Sequence, residues 1–399
     1  MNEASRSLRA LAATLAVALG AGPVAAQQTE APIKIGFVTE LTGPWSFFGT
    51  SCVAGLKLAE ANLNPPGKRK IEFVITDNQT NPAQAVAAAR SLDVQDKVLA
   101  LSGPTSSDVA LAMYGYAEQT KLPFVVPVAA FPQLTKPGTH YTFRVEPSAV
   151  GWGYAMAKFI ESRKPKAKVA IVYSDYALFR AIAAGFKYQA EKSGLQIVSD
   201  IMFPQGASDA TVQSAQVLAA APDYVISTAP GAFDNTLTNQ LLDIGIKPEQ
   251  IIHPFGAAAN VFGWGKRSAG SFYGTFFDIN LDGLTGDARK FIKDFQAQNK
   301  RVPSYAENFC YVTAQLFRQA IDSTPGADSD REKFRDAVSK LKVKESTTGV
   351  PIEFDANGAR KEYIYFVQLQ DVGTDTYKGK QVFFTEWDPE VIPVYSLVK

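Results

Sequence analysis

The chain holds only two cysteines and two histidines among its 399 residues, and both scarcities exclude chemistry. Two cysteines cannot build a dense disulfide scaffold. Cys52 and Cys310 have the option of one bridge in an oxidising compartment, and the reading favours two buried free thiols. His140 and His253 lie far apart and near no cysteine pair, which argues against zinc. No metal or other cofactor is expected. A charge excess is lacking too: 40 basic residues face 39 acidic ones with no basic tract, which argues against a nucleic-acid partner. After the N-terminus, no run approaches the ~18 apolar residues of a membrane span. Catalytic signatures are also missing. There is no G-x-S-x-G, P-loop lysine motif, H-E-x-x-H, C-x-x-C or G-x-G-x-x-G, so the chain reads as no enzyme. Asp209 and Asp234 fall at expected helix starts, where capping accounts for them.

Residues 1–26 carry Arg6 and Arg9, an apolar run over 11–19 and a Val24-Ala25-Ala26 end. They read as a secretory signal peptide cut before Gln27, which sends the chain to the periplasm. No cysteine near the cut would accept a lipid, so a free soluble protein is expected. Loss of Arg6, Arg9 and Glu3 leaves a net charge of zero. The roughly 370 remaining residues support about two domains.

Nearly all-apolar strands at 33–39, 71–76, 98–101 and 124–128 alternate with helices, and a segment at 141–145 follows. The rhythm restarts with strands at 168–173, 196–202, 223–228 and 250–255. Such alternation predicts an α/β fold with two parallel sheets, each covered on both faces. Further on, 276–279 reads as a strand and 287–299, 304–323 and 331–341 as helices. Short β segments follow at 352–354, 363–369 and 381–385.

Residues 101–109, LSGPTSSDV, carry the clearest site signal. A strand enters a tight turn and a hydroxyl-rich helix start. Free N–H groups there, with the helix dipole and the hydroxyls of Ser106 and Ser107, suit a carboxylate or phosphate. In an open α/β sheet, ligands lodge beyond the carboxyl ends of the strands. Aromatics cluster at these ends. Trp45, Phe47 and Phe48 follow the first strand and Phe131 the fourth; Tyr176, Phe179 and Phe233 follow strands of the second unit, and Phe255 ends one. Each alone is explained by loop or core packing; jointly they suggest an apolar cleft with one anion-binding wall.

IKIGFVTELTGPWSFFGTSCVAGLKLA, DNQTNPAQAV, SGPTSSDVALA, VVPVAAFPQLT and SYAENF, in that order, resemble the type I periplasmic binding proteins, more narrowly the leucine/isoleucine/valine-binding branch that serves ATP-driven importers. The resemblance implies two doubly wound α/β lobes joined by a three-crossing hinge that closes on ligand. It places lobe 1 at 27–146 plus 277–349 and lobe 2 at 147–276 plus 350–399. It also implies a monomer that docks on an inner-membrane ABC permease/ATPase complex. The ligand carboxylate would meet Ser107, with Ser106 beside it, and the Val128-Ala129-Ala130 loop, where Ala130 replaces a threonine. The second-lobe contacts depart from the amino-acid binders. Phe255 replaces the glutamate that faces the ligand's ammonium, Phe48 a tyrosine, Leu178-Phe179 a Tyr-Gly pair, and Gly231 another tyrosine. A buried ammonium without its partner costs roughly 3–5 kcal/mol. The expectation is therefore a small carboxylate with an aromatic body, of benzoate or phenylpropanoid type, with His253 available to a distal hydroxyl. The alternatives are a branched-chain amino acid, amide or urea ligand, or a sensor for a separate signalling partner.

Overall fold

The computed structural model describes residues 30–398 apart from 257, 345, 361, 375, 388–391 and 393; the leader and its cut site lie outside the described residues. The first unit runs β1 (Ile33–Thr39), α1 (Ser46–Leu63), β2 (Ile71–Asp77), α2 (Pro82–Val94), β3 (Ala100–Ser102), α3 (Ser107–Thr120), β4 (Phe124–Val126) and β5 (Thr142–Arg144). Its strands pair in parallel in the order β2-β1-β3-β4-β5. Sequence order reverses between β1 and β3, and that switch point opens a crevice beyond the strands' carboxyl ends. Local signals set the helix starts. Asn81 caps α2 by accepting the N–H groups of Ala83 (2.9 Å) and Gln84 (3.1 Å), with Pro82 at the first helical position.

The second unit runs α4 (Ala149–Arg163), β6 (Lys168–Ser174), α5 (Ala177–Ser193), β7 (Gln196–Phe203), α6 (Thr211–Ala219), β8 (Tyr224–Thr228), α7 (Gly231–Asp243), β9 (Ile251–His253), α8 (Ala258–Trp264) and β10 (Phe272–Thr275). The chain then forms α9 (Gly286–Asn299), α10 (Tyr305–Ser323) and α11 (Arg331–Ser339), with α10 lying along α1. A small antiparallel pair, β11 (Lys342–Val343) and β12 (Ile352–Glu353), precedes the long hairpin β13 (Glu362–Val372) and β14 (Tyr377–Trp387). The hairpin joins the second sheet antiparallel to β10, giving the order β14-β13-β10-β9-β8-β6-β7. Helices α4 and α5 cross where Gly153 faces the Ile182 carbonyl and Gly185 the Val150 carbonyl; a Cβ at either would collide with that backbone.

Two expectations are corrected. The strand foreseen at 276–279 lies earlier, at β10, and Thr275 Oγ1 accepts the Phe277 N–H (3.3 Å) as the chain leaves the sheet for Asp278. The Asp278 carboxyl accepts the Asn280 N–H (2.8 Å) and the hydroxyls of Tyr273 (3.1 Å) and Tyr377 (2.6 Å), which turns the chain. Cys52 and Cys310 are disulfide-bonded, not free thiols, with Cα atoms 5.3 Å apart across 258 residues of sequence. The packing of α1 on α10 brings them together.

Candidate functional site

The loops after β1 and β3 meet at the switch point of the first sheet. There the amide groups at the entry of α3 already hold a carboxylate, that of Glu40. It accepts Thr105 N–H (3.0 Å), Thr105 Oγ1–H (2.7 Å), Ser106 N–H (3.3 Å) and Asn78 Nδ2–H (3.2 Å). Burial pushes the Glu40 pKa up against those bonds, Thr105 foremost among them. The part of the anion wall formed by the Thr105 and Ser106 amides is thus taken by the protein's own side chain. Ser107, one residue further on, is different. It is buried, and its Oγ has no hydrogen-bond partner among the described residues. In the loop after β4, Val128, Ala129 and Ala130 are buried, and the Ala130 carbonyl accepts the Ala149 N–H at 2.8 Å. That bond pins the loop to the start of α4.

Six of the eight aromatics foreseen at the strand ends meet across the two sheets, while Phe131 lies buried in the core. Trp45 stacks on Phe179 (5.8 Å between centroids) and meets Tyr176 edge-on (5.8 Å). Phe48 touches Phe47 (4.8 Å) and Phe255 (5.6 Å), and Phe255 stacks on Phe179 at 6.0 Å. These rings form one seam with T-shaped and offset geometries, each pair contributing about 0.5–1.5 kcal/mol beyond area burial. Gly231 stands at the mouth of α7 with φ +52°, and a Cβ there would lie 2.9 Å from the Pro44 carbonyl. Backbone of the two sheets' loops therefore comes into close approach at Gly231.

Phe233 and His253 also stand outside this seam. Phe233 is a correction: its ring packs edge-on against Phe203 at 5.1 Å in the core that α7 forms on the second sheet. His253 is buried, not in a solvated loop. It stacks on Trp264 at 3.7 Å and lies 3.9 Å from Asp234. Asp234 is no simple helix cap; it accepts Trp264 Nε1–H (2.7 Å) and Asn260 Nδ2–H (3.3 Å). Burial raises the Asp234 pKa to about 7 and lowers that of His253 to about 3, so Asp234 keeps its proton up to about neutral pH and His253 is uncharged above about pH 3.

Sequence reasoning missed Trp152 and Tyr305, which extend the seam. Trp152 lies 5.1 Å from Phe255 and 6.2 Å from Tyr305, and Tyr305 lies 6.2 Å from Phe48. Both sit in first turns of helices, α4 and α10, so a search restricted to loops after strands passes over them. The seam also carries buried donors without partners among the described residues, the indole N–H groups of Trp45 and Trp152. Among the described residues, no group of three or more His, Cys, Asp or Glu could hold a metal ion, and no helix is long and apolar enough to cross a membrane.

A profile described as "Periplasmic binding protein" matches residues 32–375. A Leu/Ile/Val-binding protein of Rhizobium johnstonii is 26% identical over 329 residues, covering 81% of this chain and 86% of that protein. A solute binding protein of an ABC transporter from Rhodopseudomonas palustris, solved with 3,4-dihydroxy benzoic acid, superposes with a TM-score of 0.80 at 22% identity, covering 90% of this chain and 99% of that one. The branched-chain amino acid transporter substrate binding protein of Streptococcus pneumoniae, solved with isoleucine, gives 0.77 at 24% identity, covering 88% and 100%. The chain belongs to the periplasmic binding protein family, and among its relatives it is similar to Leu/Ile/Val-binding proteins.

Proposed function

We propose that this solute-binding protein captures a small carboxylate with an aromatic body, of benzoate type, and delivers it to an inner-membrane ABC permease/ATPase complex. Its lobes are residues 27–146 plus 277–349 and 147–276 plus 350–399, and the ligand is enclosed between them as a monomer closes about its hinge. The signal peptide over residues 1–26 takes it to the periplasm. The carboxylate meets Ser107 and the Val128–Ala130 loop, with Ser106 buried beside it. Trp45, Phe47, Phe48, Tyr176, Phe179 and Phe255 enclose the ring, and Gly231 marks the rim, where its lack of a Cβ admits the Pro44 carbonyl.

One observation carries the reading. At the position where the family's amino-acid binders hold a glutamate against the ligand's ammonium, Phe255 stands in ring contact with Phe48, Trp152, Phe179 and Tyr305. An ammonium brought to Phe255 meets rings where those binders offer a carboxylate, and a buried ammonium that loses its ion partner costs roughly 3–5 kcal/mol. A flat ring finds stacking surfaces. Proteins of this fold take both classes of ligand, 3,4-dihydroxy benzoic acid in one and isoleucine in another.

The test is a thermal-shift panel of the mature protein against benzoates, phenylpropanoids, leucine, valine, short amides and urea. A ligand at 100 times its dissociation constant adds about 2.7 kcal/mol of stability. The reading expects that shift with aromatic acids and none with leucine or valine. A shift with leucine or valine alone overturns it.

A further inference from the structure

Glu146 lies in the segment that leaves β5 for α4, between Arg144 and Ser148. It is 1% exposed, and its Oε2 has no hydrogen-bond partner among the described residues. The neighbouring carboxylate makes a contrast. Glu362 accepts Arg144 Nη2–H (3.2 Å), Ser148 N–H (2.9 Å), Ser148 Oγ–H (2.9 Å) and Trp387 Nε1–H. Arg144 thus gives its guanidinium to Glu362, and to Glu146 it gives only a bond to the backbone carbonyl. The scaffold has a carboxylate for its arginine, and Glu146 is not it.

A buried carboxyl oxygen left without a partner loses its hydration with nothing in return. Glu146 stands three residues before α4, whose first turn carries Trp152 into the aromatic seam. The Glu146 charge would act on the Tyr305 hydroxyl, whose pKa is raised well above the ordinary value by burial and then by Glu146. Tyr305 in turn lies beside Phe48, Trp152 and Phe255, and the Trp152 indole N–H is itself buried and without a partner among the described residues. Ser107, which takes the ligand's carboxylate, stands on a different element, at the start of α3. An indole N–H donates only, whereas a carboxyl group also accepts, so together they match a group that both donates and accepts.

We propose that Glu146, with Trp152 in the first turn of the following helix α4, is a ligand-binding and specificity-determining residue that takes a phenolic hydroxyl on the ring of an aromatic acid. The inference rests on the aromatic-acid reading above. It assigns the hydroxyl to the hinge end of the cleft, not to His253, whose neighbours Trp264 and Asp234 all come from the second sheet's own layer.

The test titrates wild type, Glu146→Ala and Glu146→Gln with benzoate, 3-hydroxybenzoate and 4-hydroxybenzoate by calorimetry. Wild type is expected to bind one hydroxybenzoate about tenfold more tightly than benzoate, the scale of one well-made hydrogen bond. Glu146→Ala brings the two acids to within about threefold by weakening only the hydroxylated one, and the isosteric Glu146→Gln retains most of the preference. A scaffold role predicts instead that both acids weaken together in both variants, and that result overturns the proposal. So does a wild type with no preference for a hydroxyl, or a preference that survives in Glu146→Ala. A wild type that binds none of the three acids overturns the aromatic-acid reading itself, and this inference with it.

Discussion

Asp108 and Ala177 are joined by a hydrogen bond in which Asp108 Oδ2 accepts the Ala177 backbone N–H at 3.2 Å. Asp108 sits in the first turn of α3, beside the first sheet, and Ala177 opens α5, beside the second. The bond places a carboxylate on the positive end of α5, an arrangement that contributes about 0.3–1 kcal/mol, and up to ~2 kcal/mol when partly buried. It spans the two units next to Ser107 and Tyr176, so it acts when the cleft is shut. Asp108→Asn is expected to weaken ligand binding about two- to tenfold, mainly through faster dissociation. Stopped-flow release of ligand measures this, and an unchanged release rate would remove Asp108 from the closure mechanism.

Ser107 Oγ is the buried hydroxyl without a partner at the carboxylate wall. A hydrogen bond to a charged group contributes about 1.5–3 kcal/mol. Ser107→Ala is therefore expected to weaken benzoate binding by about 10- to 100-fold while leaving the melting temperature of the free protein close to that of wild type. Calorimetric titration and thermal unfolding of one preparation give both numbers. Ser106→Ala should cost less, because the contact the structure gives Ser106 to Glu40 runs through its backbone N–H.

Asp234 and His253 predict opposed pH dependences. The folded pKa of Asp234 is raised to about 7, so between about pH 4 and 7 the folded state holds a proton that the unfolded state has lost. Stability then falls as pH rises, by at most about 1.4 kcal/mol per unit. The folded pKa of His253 is lowered to about 3, so between pH 3 and 6.5 the unfolded state holds the extra proton and stability rises with pH. The two slopes offset each other in wild type from about pH 4 to 6.5. Asp234→Asn should expose the rising slope and His253→Gln the falling one. Urea unfolding at pH 4.5, 5.5 and 6.5 checks the pair, and variants that both parallel wild type would contradict it.

The Cys52–Cys310 bond ties α1 to α10 across 258 residues of sequence. A crosslink closing a loop of that length typically contributes about 2–4 kcal/mol by restricting the unfolded chain. The double variant Cys52→Ala, Cys310→Ala is expected to unfold at a correspondingly lower urea midpoint with ligand affinity within about threefold of wild type. Loss of binding in a folded double variant would mean that the crosslink also sets the cleft's shape.

What was legible in the sequence follows from the range of the signals. Apolar runs and turn residues act locally, so the alternation of β1 through β10 and the start of α3 at Ser107 could be read directly. The convergence of Trp45, Phe48, Phe179 and Phe255 followed from the rule that strand ends of a parallel sheet share a side. Contacts between residues distant in sequence were not legible. Glu40 reaches Thr105 only because β1 and β3 are parallel neighbours, and Cys52 reaches Cys310 only because α10 returns to α1. The strand-end rule also admitted Phe233, which the turn of α7 directs onto Phe203, and it passed over Trp152, which reaches the seam from a helix.

The central claim is that the cleft recognises a carboxylate on an aromatic body. Calorimetric titration of the mature protein with benzoate, benzamide and isoleucine tests it most directly, because the first pair share a ring and differ in charge while the third carries carboxylate and ammonium together. The account predicts measurable binding of benzoate, benzamide weaker by about tenfold or more, and no binding of isoleucine at the same concentrations. Binding of isoleucine without benzoate would contradict it.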